Sequence, residues 1–344
     1  MVRALIVDDS AFMRKLLHDF LSSDPSITIA GTVRNGRDAL DKMEACSPDV
    51  ITLDVEMPVM DGLETLEKIL ATERLPVIMV SSSTKAGAET TIKCLSLGAF
   101  DFVTKPSGSI SLDLYTVKEE LIEKVKAAAR DSLRSFGEIA TPIEYSPHIN
   151  RDHLKRRVVC IGTSTGGPRA LQIVLEEIPA AIAAPIFVVQ HMPVGFTSSL
   201  ASRLDQLCDV HVKEAEDGEF AMDGYVYIAP GGKQMSVVQV GTRLKIELCR
   251  EDAKGGHCPS VNHLFRSLAK IKSRQKIAVV MTGMGNDGTE GLQKLLEEGQ
   301  TNSIAESEES AIVFGMPKSV IAAGLVHKVR HVNDIAGAIM SYMK

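Results

Sequence analysis

The chain has 344 residues, 44% of them hydrophobic and 24% charged, a length and balance that suit a protein of two globular domains. A net charge of −6 and only 4% aromatics argue against nucleic acid as a partner, since such binding draws on basic faces and stacking rings. No stretch has the roughly 18 uninterrupted apolar residues of a membrane span, and Met1-Val2-Arg3-Ala4-Leu5-Ile6-Val7 runs straight into two aspartates with no room for a signal peptide, so a cytoplasmic protein is expected.

In the first half, short β-branched runs at Ala4–Val7, Ile27–Thr32, Val50–Leu53, Val77–Val80 and Asp101–Val103 read as strands. Between them, Met13, Leu16, Leu17, Phe20 and Leu21, and then Ala39, Leu40 and Met43, recur at helical spacing. Strands alternating with helices predict a doubly wound α/β unit with a five-stranded parallel sheet, closed by a helix over roughly Leu114 to Arg130.

Strand ends in this half carry the chemistry: Asp8-Asp9 after the first, Asp54 after the third, Ser81-Ser82-Ser83 after the fourth and Lys105-Pro106 after the fifth. The carboxyl ends of parallel strands form the ligand crevice of such a sheet. Three carboxylates converging there repel one another unless a hard divalent cation such as Mg²⁺ neutralises them, and such a site suits phosphoryl chemistry. Taken singly, each residue could be a helix cap or turn former.

Together, Val-Asp-Asp-Ser, Leu-Asp-Val-Glu-Met-Pro and Thr-Lys-Pro resemble a response-regulator receiver domain, of flavodoxin-like fold, over residues 1–125. The resemblance implies that Asp54 accepts a phosphoryl group, with Asp8, Asp9, Asp54 and the backbone carbonyl of Glu56 on Mg²⁺. It further implies that Lys105 pairs with the phosphate, that Ser81 bonds its oxygen to pass on the switch, and that Phe102 stands at the switch-aromatic position. The end of the fourth strand favours Ser81 over Ser82, and Phe102 could equally be ordinary core.

Residues 126–155 are expected to hold the end of the last receiver helix and a linker, since periodicity fades and Gly137, Pro142, Ser146, Pro147 and Asn150 interrupt it. The run Lys155-Arg156-Arg157 reads as a solvated strand entrance. Residues 156–344 then restart with Val158–Gly162, and further apolar runs at Ile186–Val189, Tyr225–Ala229 and Ile277–Met281 suggest a second, Rossmann-like α/β sheet. The cysteines, at 46, 94, 160, 208, 249 and 258, include no CxxC pair and are read as free thiols. Cys249, His257 and Cys258 match no common zinc spacing.

Gly162-Thr163-Ser164-Thr165-Gly166-Gly167-Pro168 forms a glycine-rich strand-to-helix turn, which could present Ser164 as a nucleophile near helix N–H groups or could bind a phosphate. Val189-Gln190-His191-Met192-Pro193 and Thr282-Gly283-Met284-Gly285-Asn286-Asp287-Gly288 end two other strands, so a serine, a histidine and an aspartate share three strand ends. A hydroxyl needs an imidazole to take its proton and a carboxylate to fix the ring's tautomer. Singly, His191 could be a structural histidine and Asp287 a turn former.

With Tyr-Ile-Ala-Pro-Gly-Gly and Val-Phe-Gly-Met-Pro, these segments resemble the chemotaxis methylesterase domain of the CheB family over residues 157 to about 340. The resemblance implies a serine esterase that hydrolyses glutamate γ-methyl esters on methyl-accepting chemoreceptors, with Ser164 as nucleophile, His191 as general base and Asp287 orienting the ring. Its oxyanion hole would fall on the N–H groups of Thr165 and Met284, although Thr165 could also cap the following helix. Some members also deamidate receptor glutamines. A chemotaxis histidine kinase would supply the phosphoryl group, and the unphosphorylated receiver would cover the cleft until Asp54 is phosphorylated. No cofactor is implied for the ester chemistry.

Lys233, Asn262 and Glu306 stand where the family's more typical segments have His, Asp and Gln, and are expected to alter groove polarity or the domain contact. Arg203 could touch an acidic receptor helix or be a plain exposed arginine. Two rival functions fit less well. A nucleotide-holding output module lacks the acidic residue about 20 positions past the glycine turn, Glu176 and Glu177 coming too early. A transcription factor would need a helix-turn-helix and a basic face.

Overall fold

The computed structural model describes residues 1–72, 75–106, 111–132, 156–250 and 256–344. The chain divides into two compact units, Met1–Gly137 and Glu138–Lys344. Most of the expected linker, residues 133–155, and Lys155 with it, lie outside the described residues.

In the first unit, β1 (Val2–Val7), β2 (Ile27–Val33), β3 (Val50–Asp54), β4 (Val77–Ser81) and β5 (Asp101–Thr104) form a parallel sheet in the order β2-β1-β3-β4-β5. They alternate with α1 (Ala11–Ser22), α2 (Gly36–Cys46), α3 (Gly62–Thr72), α4 (Lys85–Leu97) and α5 (Ser111–Ser132). Strands β3 and β4 are buried throughout, because helices cover both faces of such a sheet. Helix α1 starts where the Ser10 hydroxyl accepts the Met13 N–H, and it buries Met13, Leu17 and Leu21 on one stripe. The strand order reverses between β1 and β3, which opens a crevice at their carboxyl ends.

The second unit contains β6 (Arg157–Thr163), α6 (Gly167–Glu176), β7 (Ile186–Gln190), α7 (Phe196–Asp205), β8 (His211–Glu214), β9 (Tyr225–Ile228), β10 (Gln234–Val240) and β11 (Arg243–Cys249). It continues with α8 (Val261–Ala269), β12 (Gln275–Val280), α9 (Thr289–Glu297), β13 (Thr301–Glu306), α10 (Met316–Ala322), β14 (Lys328–Arg330) and α11 (Val332–Tyr342). Seven strands pair in parallel in the order β14-β13-β12-β6-β7-β9-β8, while β10 and β11 form a separate antiparallel hairpin. One face of the sheet, through Val158, Cys160, Phe187 and Val189, packs on Leu264, Phe265 and Leu268 of α8 and on Val237 and Ile246 of the hairpin. Helix α6 packs with α11 instead.

The sheet is wider than the apolar runs alone suggest. Strand β13 reads Thr-Asn-Ser-Ile-Ala-Glu and β14 is three residues long, so neither carries an apolar run. Arg157 is also more than a solvated entrance: its guanidinium donates to the carbonyls of Met343 (2.9 Å) and Lys344 (3.0 Å), tying the first strand of the unit to the C-terminus. Among the described residues, no helix is long and apolar enough to cross a membrane.

The site is positioned by β6 and its two neighbours. Thr163 lies opposite Gln190 of β7, and Gly162 opposite Val280 of β12. Past the strand ends the ladder continues, with the Ser164 N–H donating to the Thr282 carbonyl (3.0 Å) and the His191 N–H to the Thr163 carbonyl (3.1 Å).

Candidate active site

Ser164 is half-buried in the turn between β6 and α6. Glycine is needed here for conformation and for space. Gly166 has φ +76°, and a Cβ on it would stand 2.7 Å from that of Ile312; a Cβ on Gly283 would stand 2.8 Å from the Ser164 Cβ. Gly166 is the N-cap of α6 with no side-chain cap, so Thr165 does not cap the helix; its carbonyl accepts from Thr282 Oγ1 (2.9 Å). The N–H groups of Thr165 and Met284, in the turns after β6 and β12, have no acceptor among the described residues.

His191 follows β7, and its Nε2 is 2.8 Å from Asp287 Oδ2. The carboxylate also accepts from Ser260 Oγ (3.0 Å) and from the N–H groups of Val261 (2.7 Å), Asn262 (3.0 Å) and Gly288 (3.0 Å). It therefore sits on the N-terminus of α8, where free N–H groups and the helix dipole favour an anion. Burial pushes the Asp287 carboxyl up, but bonding from His191 and from these N–H groups outweighs it and holds the acid well below the usual carboxylate range. An ionised carboxylate only accepts, so the neutral ring carries its proton on Nε2. The buried Nδ1 has no hydrogen-bond partner among the described residues, so in that tautomer its lone pair is free. Ser164 Oγ does not bond to it here, a looseness common before substrate binds.

Gln190, at the buried end of β7, donates from Nε2 to the carbonyls of both Ser164 (3.0 Å) and His191 (3.0 Å). The sequence signal was a glutamine closing an otherwise apolar strand, Ile-Phe-Val-Val-Gln. His257 stacks on His191 with ring centroids 3.9 Å apart. It precedes α8 in an irregular loop, where no periodic pattern points to it.

The three unusual positions take different places in the second unit. Asn262 and Glu306 belong to the scaffold of the site: the Asn262 N–H holds Asp287, and its Oδ1 accepts the Gly291 N–H (2.7 Å) in the first turn of α9. Glu306 is fully buried and accepts from the Thr282 N–H (2.7 Å) and Ser310 Oγ (2.9 Å). Burial raises its carboxyl to about 7 against the pull of those two donors. Lys233 is half-buried, with its N–H on the Pro230 carbonyl. Arg203 is half-buried rather than exposed, and its Nε is buried without a partner.

In the first unit, Asp8, Asp9 and Asp54 each bring a carboxylate oxygen within 4.8 Å of the others. Lys105 Nζ lies 2.7 Å from Asp54 Oδ2 and 3.2 Å from Asp8 Oδ2, a buried oxygen that has no other polar neighbour donating to it among the described residues. A cluster of hard oxygens, with Asp8 and Asp54 buried and Asp9 open to solvent, fits a divalent cation. Burial, with the Asp8 charge adding and Lys105 opposing, raises the Asp54 carboxyl to about 6. Glu56 donates its N–H to Asp54 Oδ1 (3.3 Å), while its side chain is exposed and outside the cluster. Ser81 is fully buried at the end of β4, whereas the Ser82 hydroxyl is shared with Thr84 (3.0 Å). Phe102 is buried, with the Lys124 ammonium 5.3 Å from its ring centroid. Cys249 is exposed and Cys258 half-buried.

Residues 159–339 match the CheB methylesterase family and residues 4–114 the response regulator receiver domain. A protein-glutamate methylesterase/protein-glutamine glutaminase of Bacillus subtilis is 54% identical over 353 aligned positions, covering 100% of this chain and 99% of that protein. One of the same description from Bacillus licheniformis is 56% identical, again over 100% and 99%. The crystal structure of the Thermotoga maritima CheB methylesterase catalytic domain is 42% identical with a TM-score of 0.53, covering 55% of this chain and 100% of that one.

Proposed function

This chain belongs to the CheB family of protein-glutamate methylesterases controlled by a receiver domain, and we propose that Ser164, His191 and Asp287 carry its reaction. The observation that carries the reading is the bond between His191 and Asp287, formed at strand ends adjoining that of Ser164. The substrates are γ-methyl esters of glutamate side chains on chemoreceptors. Ser164 Oγ attacks the ester carbonyl carbon as His191 Nδ1 takes its proton, and the N–H groups of Thr165 and Met284 receive the developing oxyanion. Collapse expels methoxide, which takes the proton from Nδ1 and leaves as methanol. Water, deprotonated by the same nitrogen, then releases the glutamate carboxylate and restores Ser164. A glutamine side chain follows the same path with ammonia as leaving group, as the double name of the Bacillus relatives suggests.

Phosphorylation of the receiver regulates this activity. The reading that Asp54 is the acceptor, served by a chemotaxis histidine kinase in the cytoplasm, rests on its burial beside Lys105 and two further carboxylates. Asp8, Asp9, Asp54 and the Glu56 carbonyl would hold Mg²⁺, which supplies charge neutralisation for phosphoryl transfer. Lys105 binds the phosphate, while Ser81 and Phe102 pass on the change.

The test incubates methylated receptor membranes with the wild-type protein and with Ser164→Ala and measures methanol. The variant is expected to lose several orders of magnitude in rate; wild-type rates from it would end the triad reading.

A further inference from the structure

The two histidine rings lie nearly parallel, their planes within 14° and their centroids 3.9 Å apart. The segment from His257 to Ser260 is anchored by Gln234 and Gly232. Gln234, itself buried, donates from Nε2 to the His257 carbonyl (2.8 Å) and accepts the Ser260 N–H at Oε1 (2.8 Å). The Gly232 N–H holds the Cys258 carbonyl (3.1 Å). Two residues further on, Ser260 donates to Asp287. One short stretch of chain thus supplies both a donor to the triad carboxylate and a ring lying over the triad imidazole.

Hydrogen bonding alone holds the His191 side chain, itself nearly buried, only weakly in orientation. Among the described residues its only side-chain hydrogen bond is the one to Asp287, Nδ1 having no partner there. A single bond fixes the direction of one N–H and leaves the ring free to rock about it, because the torsion between Cβ and an aromatic ring is broad. Nδ1 must nonetheless face the serine hydroxyl during attack. A parallel ring at van der Waals distance removes that rocking freedom, and the face of a neutral ring also tolerates an imidazolium beneath it.

His257 is suited to remain neutral while His191 is charged. His257 is exposed at its outer edge, but the stacked ring strips water from its inner face; this desolvation first, and then the positive charge of His191, hold its pKa below the ordinary histidine value, with Asp287 opposing.

We propose that His257 is a positioning residue for the general base: stacked on His191, it fixes the imidazole plane so that Nδ1 faces Ser164 while Nε2 stays on Asp287. This rests on the triad reading above. A ring substitute that neither titrates nor hydrogen-bonds should serve, whereas a flexible aliphatic side chain of similar bulk should not.

The experiment compares full-length wild-type protein, Ser164→Ala, His257→Phe and His257→Leu for methanol release from methylated receptor membranes, with kcat, KM and thermal midpoints measured for each. His257→Phe is expected within about twofold of wild type, and His257→Leu to lose about 10-fold in kcat, with KM within about twofold and an unchanged midpoint. Should His257→Leu lose its cooperative unfolding transition, His257→Ala replaces it with the same expectation. Equal activity of the Phe and Leu variants, or a loss confined to KM, overturns the proposal. If either occurs while Ser164→Ala is inactive, the triad reading stands and only the role of His257 falls; an active Ser164→Ala removes both.

Discussion

His191 meets Asp287 through Nε2, at 2.8 Å, and so keeps Nδ1 as its basic atom. The ring is turned the other way round in the chymotrypsin arrangement, where Nδ1 meets the carboxylate and Nε2 the serine. Asp287→Asn allows the amide NH₂ to face Nε2, which favours the tautomer with its proton on Nδ1 and removes the base. A fall of about 10³- to 10⁴-fold in kcat is expected from methanol release, with KM little changed.

Glu306 makes stability depend on pH. Its folded carboxyl, raised to about 7, lies above the ordinary 4.5, so the folded form binds the proton more tightly than the unfolded chain. The stabilisation from that proton is full below about 4.5 and is lost as pH rises through about 7, an effect on the order of 3 kcal/mol at most. Glu306→Gln, which has no charge to bury, is expected to exceed wild type in urea midpoint at pH 8 and to match it at pH 4.5. A gap of the same size at both pH values would show that the Glu306 charge is not its source.

Gln190 holds the Ser164 and His191 segments with one amide, and Gln190→Leu keeps its bulk while removing both bonds. The His191 carbonyl is then left without a donor among the described residues, the Ser164 carbonyl keeps only the Gly167 N–H (2.8 Å), and the side-chain tie between the two turns is lost. A loss of about 10- to 100-fold in kcat is expected, with a smaller change in KM. Equal kcat for the variant and wild type would show that strand pairing alone suffices.

The acidic cluster and the triad should respond differently to chelation. With EDTA, phosphate incorporation from a small phosphodonor is expected to stop, while hydrolysis of receptor methyl esters by the unphosphorylated protein continues unchanged. The expectation follows from the ligands: Asp8, Asp9 and Asp54 cluster their oxygens with few donors on them, whereas Asp287 already accepts from five donors. Asp54→Asn should abolish incorporation even with Mg²⁺ present.

Much of this arrangement is legible in the sequence because parallel strands announce themselves as apolar runs and place their next residues at one edge. Asp8, Asp54, Ser164, His191 and Met284 all stand just past such runs or close them. His257 and Ser260 do not; they are brought in by a loop whose course is set by Gln234, a contact across 23 residues of chain to His257. Glu306 closes a strand that is half polar, so its burial follows from neighbouring β12 and not from any run of its own. The Nε2 orientation of His191 depends on the N-terminus of α8 coming to meet Asp287, which strand patterns alone cannot reveal.

The pairing of Thr163 with Gln190 reaches beyond catalysis. The proposed nucleophile and base are spaced by a ladder of backbone bonds between strands joined only through an intervening helix, so neither can be in place before that long-range pairing has formed. A slip of one position would turn the side chains of β7 to the opposite face. During refolding, esterase activity should therefore emerge as the central strands lock together and not gradually with helix content, making the reaction itself a gauge of whether the sheet has assembled in its native alignment.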